Sequence, residues 1–383
     1  MRIVINAYSA RLGGGQTYLI NLLQHLPVQA LELLVYAPQS LVLPSDPRIV
    51  RLDTAFPTTN PLLRSAWEKL VLPVALWRLR ADVLFCPGGV VGTRVPRRCQ
   101  VVTMFRNMIP FDMVIRKQVP FGLQRLRNWI LARVMLKSMA NADLVIFISD
   151  FARGVIEAQT PIRRGVTIAH GISAHFRQAR AAAGPAPFGR GDYLLYVSRF
   201  DVYKNHYQLV EAYDALSAQL KQRYRLVLIG ESDTPCGNQV RQLIAERGLE
   251  SRVLIAGAVK YHDLPAIYSN SKLILFSSSC ENCPNILLEA LASGRPVLSS
   301  SVMPMPEFGG EAALYYDPKD VAAIRDRMQE VLEDEVLAVS LGQRALARSR
   351  RYEWATAASQ TWASIMALKA PAPVEQTTLQ KII

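Results

Sequence analysis

Cys280-Glu281-Asn282-Cys283-Pro284-Asn285-Ile286-Leu287-Leu288-Glu289-Ala290-Leu291-Ala292-Ser293-Gly294-Arg295-Pro296 is the most sharply punctuated stretch of this sequence. Pro284 suits the first turn of a helix, where its missing N–H costs nothing, and Gly294 suits the residue after the helix end. A strand is predicted to begin at Pro296, and the apolar run Leu273–Phe276 before the stretch reads as another. Strand, loop, short helix and strand make the repeating unit of a parallel sheet covered by helices. In such a unit the first-turn amides face the carboxyl edge of the sheet, where they bind anions such as a diphosphate.

The same alternation runs outward in both directions. Toward the N-terminus, strands are predicted at Arg2–Asn6, Glu32–Ala37, Asp82–Cys86, Gln100–Met104 and Leu144–Ile148. A second series comprises Tyr193–Val197, Arg225–Ile229, Val253–Ala256, Leu273–Phe276, Pro296–Leu298 and Ala313–Tyr316. The class is therefore α/β with two doubly wound, Rossmann-like domains, which suits a chain of 383 residues. The stretch Ala181-Ala182-Ala183-Gly184-Pro185-Ala186-Pro187 has no periodic apolar face and reads as a linker. The expected division is 1–176, a linker at 177–191, and 192–351, with a loosely ordered tail at 370–383.

Half of the residues are hydrophobic and 20% are charged, a globular composition. Apolar runs such as Leu70–Trp77 end well short of the roughly 20 residues that span a bilayer. The N-terminal run is too short for a signal-peptide core, so a cytoplasmic location is expected. Five cysteines do not make a disulfide framework, and Cys280 and Cys283 lack the second half of a zinc site, so packing is their expected role. The net charge of +13 is uneven: residues 1–175 hold 21 Lys+Arg against 9 Asp+Glu, and the remainder 23 against 22. That surplus suits an anionic partner of the N-terminal half, such as a membrane surface or a phosphate-bearing acceptor. Two amphipathic segments there, Pro61–Arg80 with Trp67 and Trp77 and Ile115–Lys137 with Trp129, mix indoles with cations as a membrane-surface contact requires.

Cations that could meet a diphosphate follow the first strand of the second series, in Val197-Ser198-Arg199-Phe200-Asp201-Val202-Tyr203-Lys204-Asn205. Arg199 leaves the strand's carboxyl end and Lys204 is expected to open the next helix. Glu281 precedes the Pro284 helix, free to turn toward hydroxyl groups. Glu289 shares a helical face with Asn285 and Ile286 in an apolar setting, so a buried carboxylate there needs hydrogen-bond donors, which ribose hydroxyls would supply. No D-x-D pair of metal-binding aspartates occurs.

Together these features resemble the large family 4 of retaining glycosyltransferases with the GT-B fold, in which two Rossmann-like domains face each other across a cleft. The resemblance covers nearly the whole chain. It rests on the Gly13-Gly14-Gly15-Gln16 loop before a Thr17–Leu26 helix, on Arg199 with Lys204, on Gly230 and Gly257 at strand ends, and on the E-x7-E motif from Glu281 to Glu289. It implies a donor site of Gly14, Gly15, Arg199, Lys204, Gly230, Asn285, Ile286 and Glu289. Arg199 and Lys204 would hold the donor diphosphate, Glu281 the transferred sugar and Glu289 the ribose, with the catalytic roles falling to Glu281, Arg199 and Lys204. It also implies that a helix at 352–369, with Trp354 and Trp362, packs back on the first domain.

One departure stands out. Many relatives carry a His after the N-terminal strand that enters the cleft, whereas here Arg106 and Asn107 follow Val101–Phe105. Arg106 stays protonated and cannot be a base. Gln16, Arg106, Asn107 and His170 are candidates for acceptor or cleft contacts, and the base is unassigned. The resemblance implies a nucleotide-sugar co-substrate, a saccharide or lipid-linked acceptor and neither metal nor other cofactor; the basic N-terminal half and its amphipathic segments add the expectation of a peripheral place on the inner face of the plasma membrane. A sugar-nucleotide epimerase of the same fold is the rival within enzymes. A basic nucleic-acid-binding protein is the rival outside them, disfavoured because no helix-turn-helix, zinc finger or RNP-type motif occurs and the glutamates would oppose a polyanion.

Overall fold

The computed structural model describes residues 1–11, 13–112, 115–116, 122–178, 188–190 and 192–368. The Ala181–Pro187 stretch expected as a linker and the tail 370–383 lie outside them. The strands are β1 (Arg2–Asn6), β2 (Glu32–Tyr36), β3 (Ile49–Leu52), β4 (Val83–Cys86), β5 (Gln100–Phe105), β6 (Leu144–Phe147), β7 (Gly165–Thr167), β8 (Tyr193–Val197), β9 (Arg225–Ile229), β10 (Val253–Gly257), β11 (Leu273–Phe276), β12 (Val297–Ser300) and β13 (Leu314–Tyr316). They form two all-parallel sheets, ordered β3-β2-β1-β4-β5-β6-β7 and β10-β9-β8-β11-β12-β13. The order reverses between β1 and β4 in the first sheet and between β8 and β11 in the second, the switch points beside which α/β proteins bind ligands.

β3 and β7 are the two strands that the apolar pattern misses. Both lie at sheet edges and are only partly buried, so neither needs the continuous hydrophobic run that marks a central strand. The central strands bury both faces. Along β1, Ile3 and Ile5 enter one core while Val4 enters another, the two-residue period of a sheet sandwiched between helices.

The face bearing Ile3 and Ile5 is covered by the helices Gly14–Gln24 and Trp354–Met366. The second belongs to the C-terminal end of the chain yet packs on the N-terminal sheet: Trp362 is fully buried, and its Nε1 donates to the Leu22 carbonyl at 3.2 Å. The chain thus crosses between the lobes twice, and the crossings lie side by side, with Ile172 N donating to Tyr352 O at 3.0 Å. Backbone meets backbone there so closely that a Cβ on Gly171 would sit 2.1 Å from Trp354 N.

The lobes also touch across the cleft. Asn282 accepts from Ser149 Oγ at 3.2 Å and donates to Phe105 O at 3.2 Å. Glu307 accepts the first-turn amides of Asp150 and Phe151, at 2.7 and 2.9 Å, so a carboxylate of one lobe caps the Asp150–Glu157 helix of the other.

Candidate active site

The β8–β11 switch point gathers the loops that follow those strands. Ser279 N donates to Tyr203 O at 2.8 Å, and Asn205 Nδ2 donates to Ser277 O at 2.6 Å, so the two loops run together. Asn205 adopts a left-handed conformation, with φ of 54°, which an Asn tolerates. Lys204 therefore does not open a helix as its position suggested. It closes a single 3₁₀ turn, Val202–Lys204, and the helix begins at His206.

That turn carries the Lys204 side chain inward, where it is 9% exposed and its ammonium is paired with the Glu281 carboxylate. Glu281 is thus engaged by a cation, not turned out toward open solvent. Arg199 stands on the rim instead, its exposed guanidinium 3.4 Å from Glu231. Gly230 is the residue that lets the ends of β8 and β9 meet. Its φ is 147°, and a Cβ there would lie 2.0 Å from the Ser198 carbonyl.

The helix after the motif spans Asn285–Ala292, with Pro284 immediately before it and not within its first turn. Among the described residues no side chain caps its amides, and Asn285 N turns back to Cys283 O at 3.0 Å. Asn285 instead points across the cleft, where its Oδ1 meets His170 Nδ1 at 3.0 Å. The N-terminal glycine loop closes on the same spot. A Cβ on Gly14 would sit 3.3 Å from Asn285 Nδ2 and 3.4 Å from Arg106 Nη2, and one on Gly15 3.4 Å from Arg106 Nη1.

Arg106 lies over the Tyr18 ring, 5.6 Å from its centroid, and His170 packs between Tyr18 and Trp354. Burial, reinforced by the Arg106 charge, pushes His170 down to about 3, so it is a neutral imidazole. Among the described residues, His170 Nε2 and Arg106 Nε are buried without hydrogen-bond partners. Gly14, Gly15, Arg106, His170 and Asn285, separated by as many as 271 residues in sequence, thus form one cluster beside the uncapped helix.

Glu289 follows one turn later, 7% exposed, and burial pushes its carboxyl up to about 8. The donor it needs comes from the protein: Tyr261 OH bonds Glu289 Oε1 at 2.9 Å. Tyr261 went unnoticed in the sequence because a lone Tyr in a loop after β10 carries no periodic or motif signal. Ile286 is half-buried against the C-terminal core.

Two candidates stand apart from the cluster. Gln16 spends its amide on Arg11 O, at 2.7 Å, bracing its own loop. Asn107 is exposed and accepts from Ile109 N at 3.2 Å, closing a turn. Cys280 and Cys283 are free thiols; Cys280 is buried among Phe105, Phe111 and Ile115 of the other lobe, a packing role across the cleft.

Comparison with known proteins accords with this arrangement. The model of glycosyl transferases group 1 matches residues 182–348, and that of Glycosyltransferase Family 4 matches residues 12–176. The chain is 30% identical over 319 residues to the O-antigen chain mannosyltransferase B of Escherichia coli, covering 80% of this chain and 81% of that one. Its fold is similar to that of sucrose-phosphate synthase from Thermosynechococcus elongatus, with a TM-score of 0.73 at 20% identity over 96% of this chain and 99% of that one. It is likewise similar to WaaG, a glycosyltransferase involved in lipopolysaccharide biosynthesis, with a TM-score of 0.71 at 14% identity over 95% and 99%. A Rossmann-like pair of lobes meeting at an uncapped helix, with both family models matched in order, makes this chain a member of the group 1, family 4 glycosyltransferases of GT-B fold.

Proposed function

We propose that this glycosyltransferase moves a hexose of mannose or glucose type from a UDP- or GDP-sugar to a saccharide or lipid-linked acceptor, with retention of anomeric configuration and without a metal, in bacterial cell-surface polysaccharide or lipopolysaccharide assembly. One observation carries the reading. At the β8–β11 switch point, a helix start without a side-chain cap, its Ile286 and Leu287 amides left to it, follows the loop whose Glu281 pairs with the buried Lys204, with Arg199 at the rim. These are three sources of positive charge for a departing diphosphate. The mannosyltransferase named above favours mannose among the hexoses.

In the proposed reaction the bond from the sugar's anomeric carbon to the diphosphate oxygen breaks, and the acceptor oxygen bonds the same carbon on the same face. The acceptor proton passes to the departing phosphate. Arg199, Lys204 and the helix amides take up the leaving charge. Glu281, anchored by Lys204, meets the hydroxyls of the transferred sugar, and Glu289 meets the ribose. Neutral His170 orients Asn285, while the half-buried Arg106 directs its charge to the cleft beside Gly14 and Gly15. Closure of the lobes would exclude water and spare the donor from hydrolysis.

The acceptor side works at an anionic membrane surface in this proposal. Leu70, Val74 and Trp77 are exposed on the helices Pro61–Leu70 and Leu72–Arg78, and Leu126, Trp129 and Ile130 on the helix Leu123–Asn141. Between them lies a cleft of about 940 Å³, lined by Val91, Val95, Val101 and Val134 and rimmed by Lys69, Arg94 and Lys137. Trp67 is not available for lipid contact as its segment suggested, being fully buried in the core. Among the described residues no helix is long and apolar enough to cross a membrane.

The test is a thermal-shift panel of UDP- and GDP-hexoses in EDTA, followed by transfer to manno- and gluco-oligosaccharides with NMR of the product anomer. The true donor should raise the Tm and give a product of the donor's own configuration. An inverted product, or dependence on added Mg²⁺ or Mn²⁺, would overturn the corresponding part. Conversion of a donor incubated alone into its epimer would favour the epimerase reading.

A further inference from the structure

Tyr261, which carried no signal in the sequence, holds the carboxylate that the donor ribose is proposed to meet. Its hydroxyl donates to Glu289 Oε1 at 2.9 Å, and among the described residues Glu289 takes no other hydrogen bond, so Oε2 is left over. An ionised carboxylate has about four acceptor positions on its two oxygens, of which one phenol fills one. Glu289 stands in a helix whose Leu287, Leu288, Ala290 and Leu291 are all buried. A carboxylate so placed keeps its charge only where donors face it. Burial raises its carboxyl, and the phenol bond opposes that rise.

The phenol is fixed by its own ring. Tyr261 lies in the loop between β10 and the helix Leu264–Asn270, at the carboxyl end of the sheet. Gly257, with φ of 69°, turns the chain out of β10, and its carbonyl accepts from Gly230 N at 2.9 Å. The Tyr261 ring packs edge-on against Phe176, centroids 5.4 Å apart, and against His175 at 5.2 Å. Phe176 is buried and rests in turn on Tyr268. Partial burial, reinforced by the Glu289 charge, pushes the Tyr261 hydroxyl up, so it keeps its proton and donates to the carboxylate. The terminal torsion of a glutamate is broad, so without that bond the two oxygens have no fixed direction.

The spacing suits a nucleoside diphosphate. Glu289 follows the helix start at Asn285 by four residues, about 6 Å along the axis. A diphosphate at the helix start would carry its ribose one turn along, where two vicinal hydroxyls can share the positions that Tyr261 leaves. A 2′-deoxyribose offers one hydroxyl fewer.

Resting on the sugar-transfer reading above, we propose that Tyr261 is a positioning residue for the donor: it fixes Glu289 Oε1 and so directs Oε2 to the vicinal ribose hydroxyls, which selects a ribonucleotide over its 2′-deoxy counterpart. Its effect runs through Glu289.

The experiment is calorimetry with UDP, GDP and their 2′-deoxy counterparts on the full chain, Tyr261→Phe, Glu289→Ala and the double variant, with donor kinetics on the first two. Phe keeps the ring packing and removes only the hydroxyl. The parent should bind its preferred ribonucleotide about ten-fold more tightly than the 2′-deoxy form, and Tyr261→Phe should cut that ratio to about three-fold or less. Its donor KM should rise with kcat kept within about two-fold. In the Glu289→Ala background, loss of the hydroxyl should change nothing further. A parent-like ratio in Tyr261→Phe, or an equal loss with and without Glu289, overturns the role. A parent that binds nucleotides yet ignores the 2′-hydroxyl overturns it too and leaves sugar transfer standing, whereas a parent that binds no nucleotide counts against sugar transfer itself and removes the Tyr261 role with it.

Discussion

The Lys204 ammonium and the Glu281 carboxylate, 77 residues apart in the chain, are paired inside the C-terminal lobe with side chains only 9% and 17% exposed. Two such charges come out of water only if each satisfies the other, and removal of one leaves its partner stranded. Lys204→Ala and Glu281→Ala should therefore each cost about 3 kcal/mol of stability and, with Glu289→Ala, abolish transfer while the chain stays folded. The Lys204→Ala/Glu281→Ala double variant should lose less stability than the two singles combined. Denaturant titrations and a donor-turnover assay check this; strict additivity would show that the pair is not energetically coupled.

Glu289 gives a pH dependence of definite sign. Its folded carboxyl titrates near 8, above the usual 4.5, because burial penalises the ionised form. That penalty is absent below about pH 4.5 and grows until the pH passes about 8, so stability declines across this window. Glu289→Gln should remove the penalty, gaining more in Tm over the parent at pH 8.5 than at pH 5. Ribose hydroxyls donate best to the carboxylate, so UDP or GDP affinity should tighten from pH 7 to pH 9 in the parent and stay flat in Glu289→Gln. Equal slopes in calorimetry would remove Glu289 from the ribose contact.

His170 is already neutral in the folded chain, with its pKa near 3, and takes no proton between pH 5 and 8. The turnover profile should therefore keep the position of its acidic limb in His170→Gln even where kcat falls. A limb near pH 6.5 that vanishes in the variant would make His170 a titrating base after all. Stability carries the complementary sign: a depressed imidazole favours folding above about pH 6.5 and loses that contribution as the pH falls toward 3.

Glu307 joins the lobes by capping the Asp150–Glu157 helix. Glu307→Ala should cost about 1–2 kcal/mol, the value of a helix-terminal carboxylate with two amide bonds. It should also loosen the closed arrangement, seen as a larger radius of gyration in solution scattering and a raised donor KM. Unchanged scattering would confine Glu307 to a local cap.

Trp362 closes the C-terminal helix onto the first sheet. Its replacement by Ala should destabilise the chain by about 3–5 kcal/mol, through the cavity left behind and the lost bond to Leu22 O. A loss under 1 kcal/mol in urea titration would mean that the helix contributes little to holding the lobes.

Eleven strands, both sheets and the punctuated helix before Gly294 were legible in the order of residues, because a strand buried on both faces must be continuously apolar and a helix end must be chemically marked. Edge strands such as Gly165–Thr167 escape that rule, being half-solvated. Lys204, Glu281, Asn285 and Glu289 were likewise readable as a motif. What no residue order could reveal is who satisfies whom. That Lys204 turns inward to Glu281, that Tyr261 supplies the hydrogen bond to Glu289, and that Gly14 and Arg106 close on Asn285 from the other lobe are decided by packing between segments far apart in the chain. Local propensity acts over a few residues, whereas burial, with its demand that every charge and polar atom find a partner, acts across the whole fold.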